Sequence, residues 1–454
     1  MGRSLPHAIQ IDTNKIIIAM KQACFTFCCS GLGKSLSGSG GDRARAAVKE
    51  VSESELLVYK KFCGFPQYSN FSKAEFAENL LTHSFILTND PLAKLVFGTI
   101  NVTEDFSHHF LAHSVSALPD KETNRDGNYF SHLIYPLPKS WTVRTALEMW
   151  GSPFWITCDS DDMSSEMPLI NEKDVQMGVV NQETFVQFLR SSPERQKKFL
   201  FLIKSLLSMD SSRKIVLTGL PEDMVFCLWG ATRCLPSSMW INIAFSTHEK
   251  PSLSFSFNVV NFLLPENPDS QDEIVFKELP QRQNILFYSE NPHFPSSELP
   301  DNALAEDILE ICLNNSFDTL DNFYRTLPAD VKSSGASLQI YWKFLNQPDR
   351  ISCQDIDMAI RIPELRNRAI ETLMNSFHFS LDDQLNFYQF VNPELQDQML
   401  NRLISENSIE QIRNNSEYAQ LLISALSIQE EPQEEESLSL FQRIIEFFKK
   451  ALFG

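Results

Sequence analysis

The chain has 454 residues, 39 basic and 58 acidic side chains and a formal charge of −19. That length exceeds one ordinary core and fits two to four domains of roughly 100–200 residues each. A content of 43% apolar residues, with 35 phenylalanines, excludes a chain disordered throughout. The acidic balance opposes binding to a nucleic-acid backbone, and no apolar run reaches the ~18–20 residues of a membrane-spanning helix.

Residues 1–19 read as an extension outside the fold, with no apolar core and cleavage site of a secretory signal. Ala23–Cys28 is a strand candidate, Ser30–Asp42 a Gly/Ser loop and Arg43–Val48 its return strand. Ser52 and Glu55 form a capping box that opens a helix over Glu53–Phe62. Ala93–Ile100, Phe110–Ser116 and Tyr129–Tyr135 are further strands by their β-branched and aromatic content. Thr142–Trp150 is a short helix stopped by Gly151-Ser152-Pro153.

A second unit opens with a helix over Glu183–Met209. It continues as strand Lys214–Thr218, helix Asp223–Cys234, strand Trp240–Ser246 and strand Leu253–Phe262. Beyond it, Ile308–Leu320, Leu338–Leu345, Ala369–Phe377 and Leu395–Leu403 carry helical apolar spacing. The triplets Asn322-Phe323-Tyr324 and Asn386-Phe387-Tyr388, 64 residues apart, hint at a repeat of helical hairpins; coincidence in a Phe/Asn-rich chain is the other reading. After the acidic stretch Glu430–Glu436, residues 437–453 form an amphipathic helix. Phe441, Ile444, Ile445, Phe448 and Leu452 line its apolar face. Residues 266–454 hold 32 acids and 14 bases, so nearly all the net charge lies there.

The expected architecture is therefore α+β or α/β in an N-terminal module (20–165) and a middle module (166–295), followed by an all-α, acidic region (296–454). Nine scattered cysteines with no CxxC pair read as buried thiols of a reducing cytoplasm.

Three segments invite chemistry. Gly31-Leu32-Gly33-Lys34-Ser35 resembles half a phosphate loop, but Cys28 stands where its first glycine belongs, so a flexible hairpin loop is the better reading. His108, His109, His113 and His132 are candidate metal ligands. On a strand, however, residues four apart lie roughly 13 Å from each other, so no metal or other cofactor is expected. Cys24 or Cys28, with Asn128 and His132, forms the alternative of a thiol or metal hydrolase. The block Arg125-Asp126-Gly127-Asn128-Tyr129-Phe130-Ser131-His132 joins turn chemistry to a strand. Its His132 shares a face with Phe130 and Ile134 and reads as a buried, satisfied imidazole; a polar pocket of Arg125, Asn128 and His132 is the other reading.

The run from Met20–Thr26 through Gly31-Leu32-Gly33 to Asp42–Ala46, then the Arg125–His132 block, resembles the N-terminal module of the bacterial GTPase-associated protein family. Leu235-Pro236 followed by Phe245-Ser246-Thr247 is similar to that family's middle module. Asp42 departs from the pattern, which has an aromatic there. The resemblance spans about residues 20–265. It implies a non-enzymatic adaptor or scaffold of a bacterial conflict or defence system, with a GTPase and effector proteins as partners. Docking through the helical C-terminal region, with no nucleic acid, is the reading that follows.

Overall fold

The computed structural model describes residues 19–27, 42–63, 93–103, 106–116, 129–157, 166–209, 213–262, 270–375, 380–387, 390, 396 and 398–400. The fold is α+β, and the chain divides into two compact units, Met1–Gly335 and Ala336–Gly454.

The first unit is built on one ten-stranded sheet. Its strands are β1 (Lys21–Phe27), β2 (Asp42–Val48), β3 (Lys94–Thr103), β4 (Phe106–Ser116), β5 (Tyr129–Tyr135), β6 (Glu166–Met167), β7 (Lys214–Thr218), β8 (Phe245–Glu249), β9 (Val259–Phe262) and β10 (Ile285–Phe287). Their order is β10-β7-β9-β8-β3-β4-β5-β1-β2-β6. From β3 to β2 the pairs are antiparallel, whereas β10, β7, β9 and β8 run parallel. The two halves meet where Val96 and Phe97 of β3 pair with Ser246 and Phe245 of β8. The segments expected as separate N-terminal and middle modules thus contribute strands to the same sheet.

Helix α1 (Glu53–Cys63) begins at the capping box anticipated above. The Ser52 N–H donates to Glu55 Oε2 at 2.8 Å, and the Glu55 N–H donates to Ser52 Oγ at 3.3 Å. Leu56 and Tyr59 share a buried apolar cluster with Ala23, Phe110 and Leu133, and the cluster continues to Val216 and Val260 of the parallel half. One core therefore runs beneath both halves of the sheet. The opposite face carries α2 (Val143–Glu148) and the segment that follows it, in which Trp150 and Trp155 are buried.

Helices α3 (Gln182–Ser191), α4 (Pro193–Leu207) and α5 (Pro221–Cys234) complete that layer. The spacing predicts one helix over Glu183–Met209, but the chain breaks at Ser192. Pro193 has no N–H to continue the ladder and forces Ser192 into extended backbone, where its Oγ caps α4 by accepting from the Glu194 N–H at 3.1 Å. Helix α5 is buried almost all round, as a helix at the centre of its layer must be. Gly230 permits this, because a Cβ there would lie 2.1 Å from the Phe185 ring.

After α6 (Ser270–Glu278), α7 (Ala303–Leu313) and α8 (Asp318–Thr326) replace the single helix expected over Ile308–Leu320. Asn315 takes a φ of 55°, and the Ser316 N–H reaches back to the Ile311 carbonyl at 2.9 Å, which ends α7 with a left-handed turn. Strands β8 and β9 are shorter than expected: residues 240–244 lie outside any strand, with 240–242 in a turn, so β8 starts at Phe245 and runs on to Glu249, and residues 253–258 precede β9 outside any strand.

The described residues of the second unit include the rest of α9 (Gly335–Asn346), then α10 (Cys353–Ile360), α11 (Pro363–Asn375) and α12 (Leu381–Leu385). Lys343 of α9 holds Asp355 of α10 at 2.9 Å, and Ser352 with the same Asp355 forms a capping box. Of the two Asn-Phe-Tyr triplets, the first lies inside α8, whereas Asn386 and Phe387 of the second follow the end of α12. The expected helix 437–453, with Phe441, Ile444, Ile445, Phe448 and Leu452, lies outside the described residues. Among the described residues no helix is long and apolar enough to cross a membrane.

Candidate functional site

Arg125, Asp126, Gly127 and Asn128 lie outside the described residues; Tyr129, Phe130 and His132 sit on β5. The alternation of β5 matches the expectation. Leu133 and Tyr135 face the α1 core, and His132 faces the opposite layer, where its ring stacks on Phe154 at 5.4 Å and meets Trp155 edge-on. Its Nδ1 accepts the Ile156 N–H at 3.3 Å, so Nε2 carries the proton and donates to Gln22 Oε1 at 2.9 Å. The amide of Gln22 then donates to the Pro168 carbonyl at 2.7 Å. Directly across on β4 lies His113, stacked on Trp155 at 5.0 Å. Burial pushes both imidazoles down to about 3, and for His132 the neighbouring His113 adds to the effect. Both rings are neutral pieces of the core near neutral pH.

Cys24 is the register partner of His132 on β1, so the hydrolase pair is adjacent in the sheet. Both residues are buried, and both ring nitrogens of His132 are already engaged by Ile156 and Gln22. A general base needs a lone pair aimed at the thiol proton, and this ring has given that lone pair to a backbone amide. Cys28 and Gly31–Ser35 lie outside the described residues.

The remaining histidines are dispersed. His108 bonds the Tyr59 hydroxyl on the α1 side, and His109 Nδ1 lies 2.9 Å from Thr99 Oγ1. Among the described residues no three His, Cys, Asp or Glu side chains converge as metal ligands.

The middle-module residues stitch the sheet. Thr247 Oγ1 accepts the Leu95 N–H at 2.8 Å across the β8–β3 junction. Ser246 Oγ donates to Glu249 Oε1 at 2.7 Å, and Glu249 pairs with the buried Lys94 at 2.7 Å. Phe245 stacks on Phe97 at 5.9 Å. The carbonyl of Leu235, which ends α5, accepts from Trp240 Nε1 at 2.9 Å, and Pro236 leads into the following 3-10 turn.

Two features escaped the sequence reading. The first is a buried ion cluster. Lys198 Nζ lies 2.5 Å from Glu290 Oε1 and 3.2 Å from Asp223 Oδ2, and Asp223 Oδ1 also accepts from Arg195 Nε at 3.0 Å. Burial by itself would lower the Lys198 pKa, but Glu290 and Asp223 reverse that and hold it above the usual lysine range. Gly219 closes over the cluster at a φ of +115°, where a Cβ would sit 2.6 Å from both Lys198 Nζ and Glu290 Oε2.

The second is a groove of about 250 Å³ between the end of α1 and the β8–β9 connection. Phe62, Phe255, Phe257 and Phe262 line it. Lys61 and Lys250, which have no ion-pair partner among the described residues, rim it with Ser252, Ser254 and Ser256. Phe255 meets Phe262 edge-on at 5.9 Å, and Lys61 Nζ lies 4.8 Å from the centre of the Phe62 ring. Glu249, the one carboxylate of the lining, is neutralised by Lys94. The groove opens where β8 and β9 end side by side, the edge at which open α/β sheets take ligands. It suits an apolar side chain flanked by negative charge, and its signal in the sequence was the Phe/Ser alternation of Ser252–Phe257.

No protein-family model matches the chain, and no curated protein sequence matches it.

Proposed function

We propose that the chain is a non-enzymatic adaptor that holds partner proteins, the role implied by its resemblance to the bacterial GTPase-associated family. A GTPase and effector proteins of the same system are the partner class that this reading names. The observation that carries it is the use made of the motif residues. Phe130, His132, Phe245, Ser246 and Thr247 are buried and pack or bond strand to strand and sheet to covering layer. The accessible chemistry is that of a binding surface: a phenylalanine-floored groove with two lysines at its rim.

In this reading the groove takes an acidic peptide bearing one large apolar side chain. The amphipathic segment 437–453 supplies a second contact, through Phe441, Ile444, Ile445, Phe448 and Leu452. The test is retention of host proteins by immobilised full-length chain, compared with a chain lacking residues 430–454 and with the Lys61→Glu, Lys250→Glu double variant. The adaptor reading expects each change to remove or weaken a defined partner. Unchanged retention by both contradicts it.

A further inference from the structure

We propose that Cys234 and Cys312 are an oxidisable pair, a site of reversible disulfide formation that joins the end of α5 to the last turn of α7. Their sulfurs lie 3.3 Å apart, both side chains are buried, and 78 residues separate them in the chain. A disulfide requires about 2.05 Å, so the sulfurs must close by a little over 1 Å, within reach of small side-chain rotations.

The surrounding structure keeps the two backbones in register for that step. Arg233, next to Cys234, binds Asp321 of α8 through two bonds of 2.8 Å. The Tyr324 hydroxyl donates to the Cys234 carbonyl at 2.7 Å. On the other side, the Asn315 N–H donates to the Cys312 carbonyl at 3.1 Å and fixes the end of α7. Burial pushes the Cys312 thiol up, so in the closed core it rests as a thiol.

With hydrogen peroxide as oxidant, the Cys234 sulfur attacks one peroxide oxygen and the O–O bond breaks. The sulfur becomes a sulfenic acid, and the departing hydroxide leaves as water with the Cys234 thiol proton. The Cys312 sulfur then attacks the sulfenic sulfur. The S–S bond forms, the S–O bond breaks, and the oxygen departs as a second water with the Cys312 thiol proton. The pair loses two electrons and the peroxide gains them; a small thiol reverses the step by exchange. Because both sulfurs are sealed, entry of peroxide waits on local opening of the α5–α7 contact, so the reaction is slow and stops at the disulfide.

The test uses the full-length chain, reduced and then treated with hydrogen peroxide in native buffer. It is next alkylated in denaturant and digested without reductant. Mass spectrometry is expected to find one dominant crosslink, joining the peptides that carry Cys234 and Cys312, lighter by two hydrogens and lost on treatment with dithiothreitol. In Cys312→Ser the crosslink at Cys234 is absent. Mapping of the wild-type chain decides the matter even if that variant does not fold. Recovery of the two residues as alkylated thiols, as sulfinic acids or in crosslinks to other cysteines overturns the proposal.

Discussion

His132 and Gln22 fix each other's hydrogen-bonding state: the imidazole Nε2–H donates to Gln22 Oε1 because Nδ1 is occupied by the Ile156 amide. Gln22→Leu, of nearly the same size, is expected to remove the partner of the His132 N–H and of the Pro168 carbonyl. The expected loss is about 1–3 kcal/mol of stability, from the buried His132 N–H alone, because Pro168 is exposed and water can replace Gln22 at its carbonyl. Urea unfolding of the two proteins measures it, and a loss within experimental error would mean that the bond is not made.

The two buried histidines also set a pH dependence. Their folded pKa values are depressed to about 3 by burial, whereas the unfolded chain binds protons near the ordinary histidine value. Their contribution is therefore complete above about pH 6.5 and is lost progressively as the pH falls toward about 3. In that window each histidine removes up to about 1.4 kcal/mol per pH unit. Denaturant midpoints between about pH 7.5 and 5 should fall for the wild type and fall less steeply for His113→Gln. Equal slopes would show that His113 is already protonated or exposed in the fold.

The cluster around Lys198 predicts an order of sensitivities. Lys198→Met strands Glu290 and leaves Asp223 with Arg195 alone, an expected loss of about 3–5 kcal/mol. Glu290→Gln should cost less, because its carboxylate is 34% exposed and water replaces part of the pair. Gly219→Ala combines a positive φ with contacts too short for a Cβ, so a loss of about 2–4 kcal/mol is expected. Thermal unfolding of the three variants checks the order, and a Glu290→Gln loss equal to that of Lys198→Met would contradict it.

Much of the fold was legible because its signals are local. The Ser52/Glu55 box, the β7 strand and the facing of His132 each follow from a few neighbouring residues. The helix breaks at Ser192-Pro193 and at Asn314-Asn315 carried local signals too, but the apolar periodicity runs through both and masks them. The joining of the two halves was not legible. It depends on Thr247 reaching the Leu95 amide, 152 residues away, and neither segment announces the other. The same holds for the candidate site, since Lys61 and Phe62 meet Lys250 and Phe255 only through the folded sheet. Cys24 and His132 are register partners on β1 and β5, and the engagement of the His132 ring turns on a backbone amide, Ile156, that carries no mark in the sequence.

The account stands on partner binding rather than on chemistry at Cys24 and His132, and retention of partners from the native host tests that most directly. Immobilised wild-type chain, Cys24→Ala and the Lys61→Glu, Lys250→Glu double variant are compared by quantitative mass spectrometry of the proteins they hold. The account predicts that Cys24→Ala keeps the wild-type partners, while the double variant loses at least one partner by about tenfold, equivalent to about 1.4 kcal/mol. A folded Cys24→Ala chain that loses those partners, together with a double variant that retains every one, would contradict it.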